Sequence, residues 1–597
     1  MEIAKPEETR RRWRLRWPRV IVIILFVAVI VPGLMLAWDY HRLKTELDTV
    51  KQSYHAKNLL VLGSEIPKIS GTLGNVHTAL WLLGWVQVIP GISGYYHNGM
   101  TIVTAAHDYL YAVSQGVDPL VAAGQTSHPS TKTWNQAVTQ AGLNLKTMTP
   151  VILHANQAIQ AITPSSIPAI LVRKGLDVQA LKSVSQTFIS VLPLMTGPHP
   201  VLAQLLGFPN TARYLLIFQN SGELRSTGGF MTAYAYVPFH NGRLEKITSQ
   251  NIQQLDSQVT YHPPAPMVIA AYLPVKYWHL RDTNTSPDVP QTVKNFQMLY
   301  RTIPGALPTN GMIFIDTWFV DDLIGDVGGL NVPTGHGKTV HLTKSNANLK
   351  MEYMAEDRGL PANVRKLFIG TMMKELLHEV LHAHVSEILK VAATIENNLN
   401  NKQILLYFNN SQAEAFAASH HWAGIIPKTV KGNYVQVVDE NLLGHKDNYY
   451  VRESYQVNVQ KVNGRNLETV TIHWVDPAIV NWAQNLFVPY HSWVRVYAPM
   501  GSTFVSMTGI DSYAQVTANT TLNKEVFGGH VDLPGRFSAS QPPTTGTVTV
   551  QFWLPNKVNV NRLYLQKQPG MLAEPVKVTV RGVTRRITLY NNQWLTF

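Results

Sequence analysis

Residues 20–38 pass without a charged side chain, directly after a segment, residues 1–19, that carries seven basic residues against three acidic ones. No other stretch restricts the chain so tightly. Nineteen helical residues rising about 1.5 Å each match the ~30 Å hydrocarbon layer of a bilayer. Trp13, Trp17, Trp38 and Tyr40 bracket the run, as amphipathic rings do at membrane–water boundaries. The basic excess (Lys5, Arg10, Arg11, Arg12, Arg14, Arg16, Arg19) lies on the N-terminal side, which predicts that this end stays in the cytoplasm. A cleaved signal peptide needs a shorter apolar core and a small-x-small cleavage site. The run instead ends Pro32-Gly33-Leu34-Met35-Leu36-Ala37-Trp38. The expectation is a basic cytoplasmic segment (1–19), a transmembrane helix (20–38) with the lipid bilayer as partner, and an extracytoplasmic remainder.

That remainder is too long for one hydrophobic core. Apolar residues make up 45% and charged residues 15% of the 597, so the chain has the composition of folded domains rather than of a disordered tail. Cysteine is absent, which excludes disulfides, thiolate catalysis and thiolate metal sites. A large exported protein without disulfides fits a bacterial envelope. The net charge of +13 suits an anionic contact such as phospholipid headgroups, polyphosphate or acidic glycopolymer. No zinc-finger, basic-zipper or RNA-recognition signature is present, so nucleic acid is not an expected partner.

Three regimes follow the predicted span. Residues 39–195 read as a juxtamembrane helical region: Leu43, Leu47 and Val50 recur on one helix face, and residues 102–113 and 178–192 repeat the pattern. Residues 79–92 (ALWLLGWVQVIPGI) are apolar but too short to span a bilayer. They suit packing in a helical layer or lying on a membrane surface. Residues 196–402 mix short apolar strands with helices. Residues 214–218 (YLLIF), 230–239 and 312–315 read as strands, Asn241-Gly242 as a tight hairpin, and 293–300 and 364–389 as helices. From residue 403 to 597 short strands dominate, beginning at 404–408, with a second hairpin at Asn463-Gly464. The predicted fold is therefore an α/β central domain of mixed sheet and helices. A transmembrane helix and a helical region precede it, and a β-sandwich-like C-terminal domain follows.

Residues 214–230 (YLLIFQNSGELRSTGGF) closely resemble the signature of the bacterial domain-of-unknown-function family numbered 4012. The likeness continues in residues 279–290 (HLRDTNTSPDVP), 314–333 (FIDTWFVDDLIGDVGGLNVP), 490–502, 526–535 and 563–570 (LYLQKQPG). That resemblance implies an envelope protein and little chemistry. The central region also resembles the LytR–CpsA–Psr family. Arg281-Asp282-Thr283, residues 323–332 (LIGDVGGLNV) and residues 353–366 (YMAEDRGLPANVRK) stand where that family has an Arg-Asp pair, a Gly-Gly turn and an arginine-rich helix start. Glu356 and Asp357 depart from the third pattern. The resemblance implies cell-wall biogenesis: transfer of a polyprenyl-phosphate-linked glycopolymer to peptidoglycan, with Mg2+.

Such a phosphotransferase needs cations around a diphosphate and carboxylates for the metal. The candidates are Arg225, Arg281, Asp282 and Arg358 as catalytic groups. Glu223, Gly228, Gly229, Asp288 and Arg365 would hold substrate, and Asp282 and Asp316 the metal. Arginine suits this because its planar fork binds phosphate oxygens in pairs, and paired glycines let backbone N–H groups approach an anion. A structural ion-pair network of Glu223, Arg225, Arg281 and Asp282 is the competing reading. It would leave a non-catalytic surface or binding module. A third, minor reading is a zinc protease on His378-Glu379-Val380-Leu381-His382, which has the H-E-x-x-H spacing but no further ligand placed to complete a site.

Overall fold

The computed structural model describes all residues except 1–25, 56–58, 164–177, 198, 274, 336–337, 357–361, 382–384 and 482–485. The chain forms two compact units. The first comprises residues 1–211 with 239–244 and 384–389, and the second comprises the rest.

The first unit is helical, as expected for residues 39–195. Its long helices are α1 (Val31–His55), α2 (Leu59–Leu82), α3 (Ser93–Gly124), α4 (Thr131–Ala161) and α5 (Val178–Met195). Small residues explain the close packing of α3 on α4. Ala105, Ala112, Gly116 and Ala123 are buried along α3, and a Cβ on Gly116 would come within 2.5 Å of Leu145. Helix α4 starts where Ser130 accepts a hydrogen bond from the Thr133 N–H at 3.1 Å, satisfying a donor that the first turn leaves open.

Residues 20–25 of the predicted span lie outside the described residues. Residues 26–38 are helical: a five-residue π turn, Phe26–Ile30, runs into α1. Among the described residues no helix is long and apolar enough to cross a membrane, because α1 continues into Asp39, Arg42, Lys44 and Glu46. Past α2, residues 81–95 leave Trp81, Trp85, Val88, Ile92 and Tyr95 exposed. The Trp85 indole donates to the Ala28 carbonyl at 3.1 Å, so this apolar patch adjoins the apolar run.

The second unit joins a mixed α/β sheet, whose hairpin tip at residues 239–244 counts with the first unit, to a β-sandwich. Strands β1 (Ala212–Asn220), β2 (Phe230–His240), β3 (Arg243–Leu244), β5 (Gly311–Asp316) and β8 (Ile404–Phe408) lie in the order β3-β2-β1-β5-β8, with β4 (Thr248–Asn251) on β2, while β6 (Leu330–Gly335) and β7 (Lys338–Leu342) pair as a separate ribbon. Asn241 and Gly242 both take positive φ, as a two-residue hairpin requires. Strands β1 and β5 are parallel, and β8 runs antiparallel to β5. The strand at residues 404–408, expected within the C-terminal β-rich region, is thus the edge of the α/β sheet. Helices α6 (Val289–Tyr300), α7 (Thr317–Asp326), α8 (Ala347–Glu356) and α9 (Ala362–Leu381) supply apolar residues to two clusters that also draw on this sheet. One holds Ile217, Phe296 and Phe314, and the other Phe218, Ile315, Met351 and Met372.

The β-rich part is a sandwich of two six-stranded sheets. Strands β13 (Thr503–Thr508), β16 (Thr544–Trp553), β11 (Arg465–Asp476), β10 (Arg452–Val462), β18 (Glu574–Val580) and β19 (Val583–Leu589) form one, in that order. Strands β14 (Gln515–Asn519), β15 (Lys524–Asp532), β12 (His491–Pro499), β9 (Asn433–Glu440), β17 (Arg562–Leu565) and β20 (Gln593–Thr596) form the other. Their inner residues share one core that includes Val437, Val457, Trp474, Val496, Phe527 and Val578. The Asn463-Gly464 hairpin joins β10 to β11, both residues at positive φ. Two pairings are parallel, β9 with β17 and β10 with β18.

Candidate functional site

The parallel register sets Gln219 beside Asp316, so the C-terminal ends of β1 and β5 lie together. The chain then makes a turn, residues 221–229, that is buried throughout. A buried turn must find partners for its polar groups, and side chains from distant segments supply them. Thr227 Oγ1 accepts from Gln219 and Asn284, and the Gly229 carbonyl accepts from Asn284 at 2.9 Å. Glu440 accepts from the N–H and the hydroxyl of Ser226, at 3.1 and 2.7 Å. Asn220 donates to Glu352 at 2.6 Å and accepts from the Tyr449 hydroxyl at 2.9 Å.

Within this frame the structure brings together four of the residues singled out in the sequence. Arg225, 1% exposed, pairs with Glu223 at 3.0 Å and lies 3.8 Å from Asp282. Arg281 lies 3.8 Å from the other Asp282 oxygen and bonds directly to Asp256. Lys446 closes the far end on Glu223 at 2.9 Å. Beside this row, Arg495 pairs with Glu440 at 3.1 Å and donates to Ser226. Lys446, Arg225, Arg281 and Arg495 thus face Glu223, Asp282, Asp256 and Glu440, four cations against four carboxylates. Buried charges persist only when paired, and this set leaves no surplus positive charge.

Burial, partly offset by Arg225 and Arg281, raises the Asp282 carboxyl above the usual carboxylate range. Two guanidinium groups on one desolvated carboxyl do not fit a divalent cation, so no step is derived through Mg2+ at Asp282. Asp316 is the N-cap of α7, accepting from the Phe319 N–H at 3.1 Å, and is likewise raised by burial. Asp288 caps α6 and also accepts from the Ile426 N–H at 2.9 Å. Among the described residues, no group of three or more potential ligands could hold a metal ion.

The paired glycines serve close packing. Gly228 has positive φ, and a Cβ on Gly229 would come within 2.2 Å of the Asn220 carbonyl. A Cβ on Gly570 would meet the Gly228 carbonyl at 2.0 Å. Gly570 belongs to a buried segment, residues 566–570, that runs past the turn. Gln568 donates to the Arg225 and Asp439 carbonyls, and the Trp318 indole donates to the Gly570 carbonyl at 2.9 Å. Lys567, fully buried, donates to the carbonyls of Asn401 and Met571, and burial pulls its ammonium down to about 8.

Arg358 lies outside the described residues, and Arg365 lies in α9. His378 and Glu379 are exposed on the same helix, while His382 lies outside the described residues. Glu440, Lys446, Arg495 and Asp256 were missed in the sequence. The signal for two of them was polar character in strands otherwise built for burial, VQVVDE in β9 and WVRVYA in β12.

Next to the ion-pair row opens a cleft of about 280 Å³. Phe218, Ile315, Val320, Met351, Ile369 and Met373 make its apolar wall. Asn220, Asp316, Thr317, Glu352 and Lys446 make its polar end. A second cleft of about 350 Å³ shares Phe218, Thr232, Asn251, Gln253, Ile369 and Met373 with it, so the two adjoin. Neither lining includes Arg225, Arg281 or Asp282.

The second unit is therefore a mixed α/β sheet fused to a β-sandwich, with a charge-balanced core at the join and an amphipathic cleft beside it. Residues 210–355 match the family model described as "Protein of unknown function (DUF4012)". Among solved structures, the Lin1025 protein of Listeria innocua is 12% identical, with 36% of this chain and 79% of that chain covered and a TM-score of 0.21. Lmo1026 of Listeria monocytogenes is 16% identical over 28% of this chain and 66% of that chain, with a TM-score of 0.17. No curated protein matches the chain.

Proposed function

We propose that this chain is a membrane-anchored envelope protein that binds a polyprenyl-phosphate-linked glycopolymer in the cleft beside β1 and β5. The observation that carries this reading is the cleft's division into an apolar wall of Phe, Ile and Met and a polar end of Asn220, Asp316, Thr317, Glu352 and Lys446. Ligand sites of α/β sheets lie at the carboxyl ends of their strands, and methionine adapts to irregular apolar chains. The resemblance to the LytR–CpsA–Psr family supplies the ligand class. Transfer chemistry is the weaker half of that resemblance, because Arg225 and Arg281 are occupied by carboxylates. This favours binding over catalysis and keeps the surface-module reading as the alternative.

Met373 lines both adjoining clefts. Met373→Trp is expected to weaken calorimetric binding of a polyprenyl phosphate in detergent about tenfold, with little change in thermal unfolding. EDTA should leave the wild-type affinity unchanged. No affinity in the wild type would sink the reading, and affinity abolished by EDTA would restore the metal.

The predicted topology gains support from the apolar patch of residues 81–95 adjoining the apolar run, the kind of aromatic surface that settles at a bilayer interface. Because the chain lacks cysteine, single cysteines report cleanly. One at Thr9 should be shielded from an impermeant thiol reagent in intact cells, and one at exposed Ser127 should react. The opposite labelling would overturn the orientation.

A further inference from the structure

The C-terminal sandwich holds a further cleft, of about 540 Å³, lined by five cationic side chains. Lys428, Lys431, Lys524, Lys557 and Arg562 line it, and no carboxylate does. Lys428, Lys431, Lys557 and Arg562 are exposed at its mouth. Among the described residues none of these four forms an ion pair, and none of their side chains donates a hydrogen bond. The Arg562 guanidinium lies 4.7 Å over the Trp594 ring, a contact that orients it and leaves its N–H edge available.

The floor is fixed. Lys524, 2% exposed, lies 4.6 Å over the Tyr434 ring. Its ammonium donates to the carbonyls of Pro427, Lys428, Leu522 and Asn523, at 2.7, 3.4, 3.4 and 3.3 Å. Asn523 donates to the Lys428 carbonyl at 3.0 Å. One buried cation thus ties the loop that carries Lys428 and Lys431 to the turn between β14 and β15, and burial pulls it down to about 8. Four like charges around one rim repel one another, and soluble surfaces ordinarily intersperse the two signs. A rim that keeps them together suits a ligand bringing several negative charges. An arginine fork beside lysine point charges suits phosphate oxygens.

We infer that this cleft is a binding site for a multiply charged phosphate ligand, such as a short polyphosphate or a run of phosphodiester units. It lies in the sandwich, apart from the amphipathic cleft, and does not rest on the function proposed for that cleft.

The test is calorimetric titration of sodium tripolyphosphate into the full chain in a nonionic detergent at low salt. Wild type should bind, with affinity falling as salt rises. Lys431→Gln with Arg562→Gln should weaken binding at least about tenfold, the scale of one lost charge-assisted hydrogen bond. If that pair lowers thermal stability, Lys428→Gln with Lys557→Gln, both on exposed loops, provides the same readout. Lys577→Gln with Arg586→Gln removes the two cations of a smaller, carboxylate-free cleft on β18 and β19, and should leave binding unchanged. Met373→Trp should also leave it unchanged, which separates this site from the amphipathic cleft. Three outcomes overturn the site: no wild-type binding, equal loss in the Lys577/Arg586 control, or equally tight binding of a polyglutamate of matched charge.

Discussion

Replacing Arg225 with alanine should cost the second unit about 3–5 kcal/mol, the scale for breaking a buried ion pair by removing one partner. Arg225 is 1% exposed and is flanked by Glu223 and Asp282. Its removal leaves four buried carboxylates facing three cations, with Glu223 held only by Lys446 and Asp282 only by Arg281 at 3.8 Å. Urea unfolding followed by circular dichroism measures the loss. Arg225→Met combined with Asp282→Asn should recover part of it, because Glu223 then keeps Lys446 and Arg281 keeps Asp256, three cations against three carboxylates. Arg281→Ala should cost less, since its side chain is 23% exposed. An Arg225→Ala protein within about 1 kcal/mol of wild type would mean that the row is poised for a ligand rather than built for stability.

The second large effect is on pH. Glu468 is fully buried, and burial raises its carboxyl to about 8, with Asn433 donating to both oxygens at 3.0 Å. Asp447 and Asp321 are raised to about 8 and Asp439 and Glu574 to about 7 by the same cause. A folded carboxyl that holds its proton above the unfolded value stabilises the fold at low pH, and that contribution is lost as pH rises through the folded value. Stability should therefore fall from about pH 5 to about pH 7. His530, lowered to about 4 by burial, opposes this below about 6.5. Lys402, lowered to about 7, and Lys567, lowered to about 8, oppose it only above those values. Glu468→Gln removes one titration while keeping an acceptor for Asn433. Relative to wild type it should gain about 3 kcal/mol between pH 4.5 and 7. Parallel stability profiles for the two proteins across that range would refute the assignment.

Local patterns made much of the fold legible. Asn241-Gly242 and Asn463-Gly464 announced hairpins because both residues must take positive φ. YLLIF announced a buried strand, and the apolar period of residues 102–113 a helix. The strand at residues 404–408 was equally visible, yet its sheet was not, because nothing local says which neighbour a short apolar strand will join. The candidate site divided the same way. Glu223, Arg225, Arg281 and Asp282 stood out as charges between apolar runs, and they do meet. Their chemistry was not legible, because it depends on Lys446, Glu440 and Arg495, which arrive from more than 200 residues along the chain. Glu440 and Arg495 stood out locally only as polar residues in otherwise apolar strands, with nothing to say which charge they would meet.

The buried segment at residues 566–570 sets an order of events during synthesis. The turn at residues 221–229 leaves the ribosome early, yet Gln568 and Gly570, which bond or pack against it, are made some 340 residues later. At 5–20 residues per second the wait is on the order of tens of seconds. During that interval Arg225, Glu223 and the strand ends of β1 and β5 have no lid. The nascent α/β sheet must stay loosely closed, or be sheltered by a chaperone, until the far end of the chain threads in beside it. A chain stopped near residue 425, after β8 has joined the sheet, would lack the segments that close over the turn.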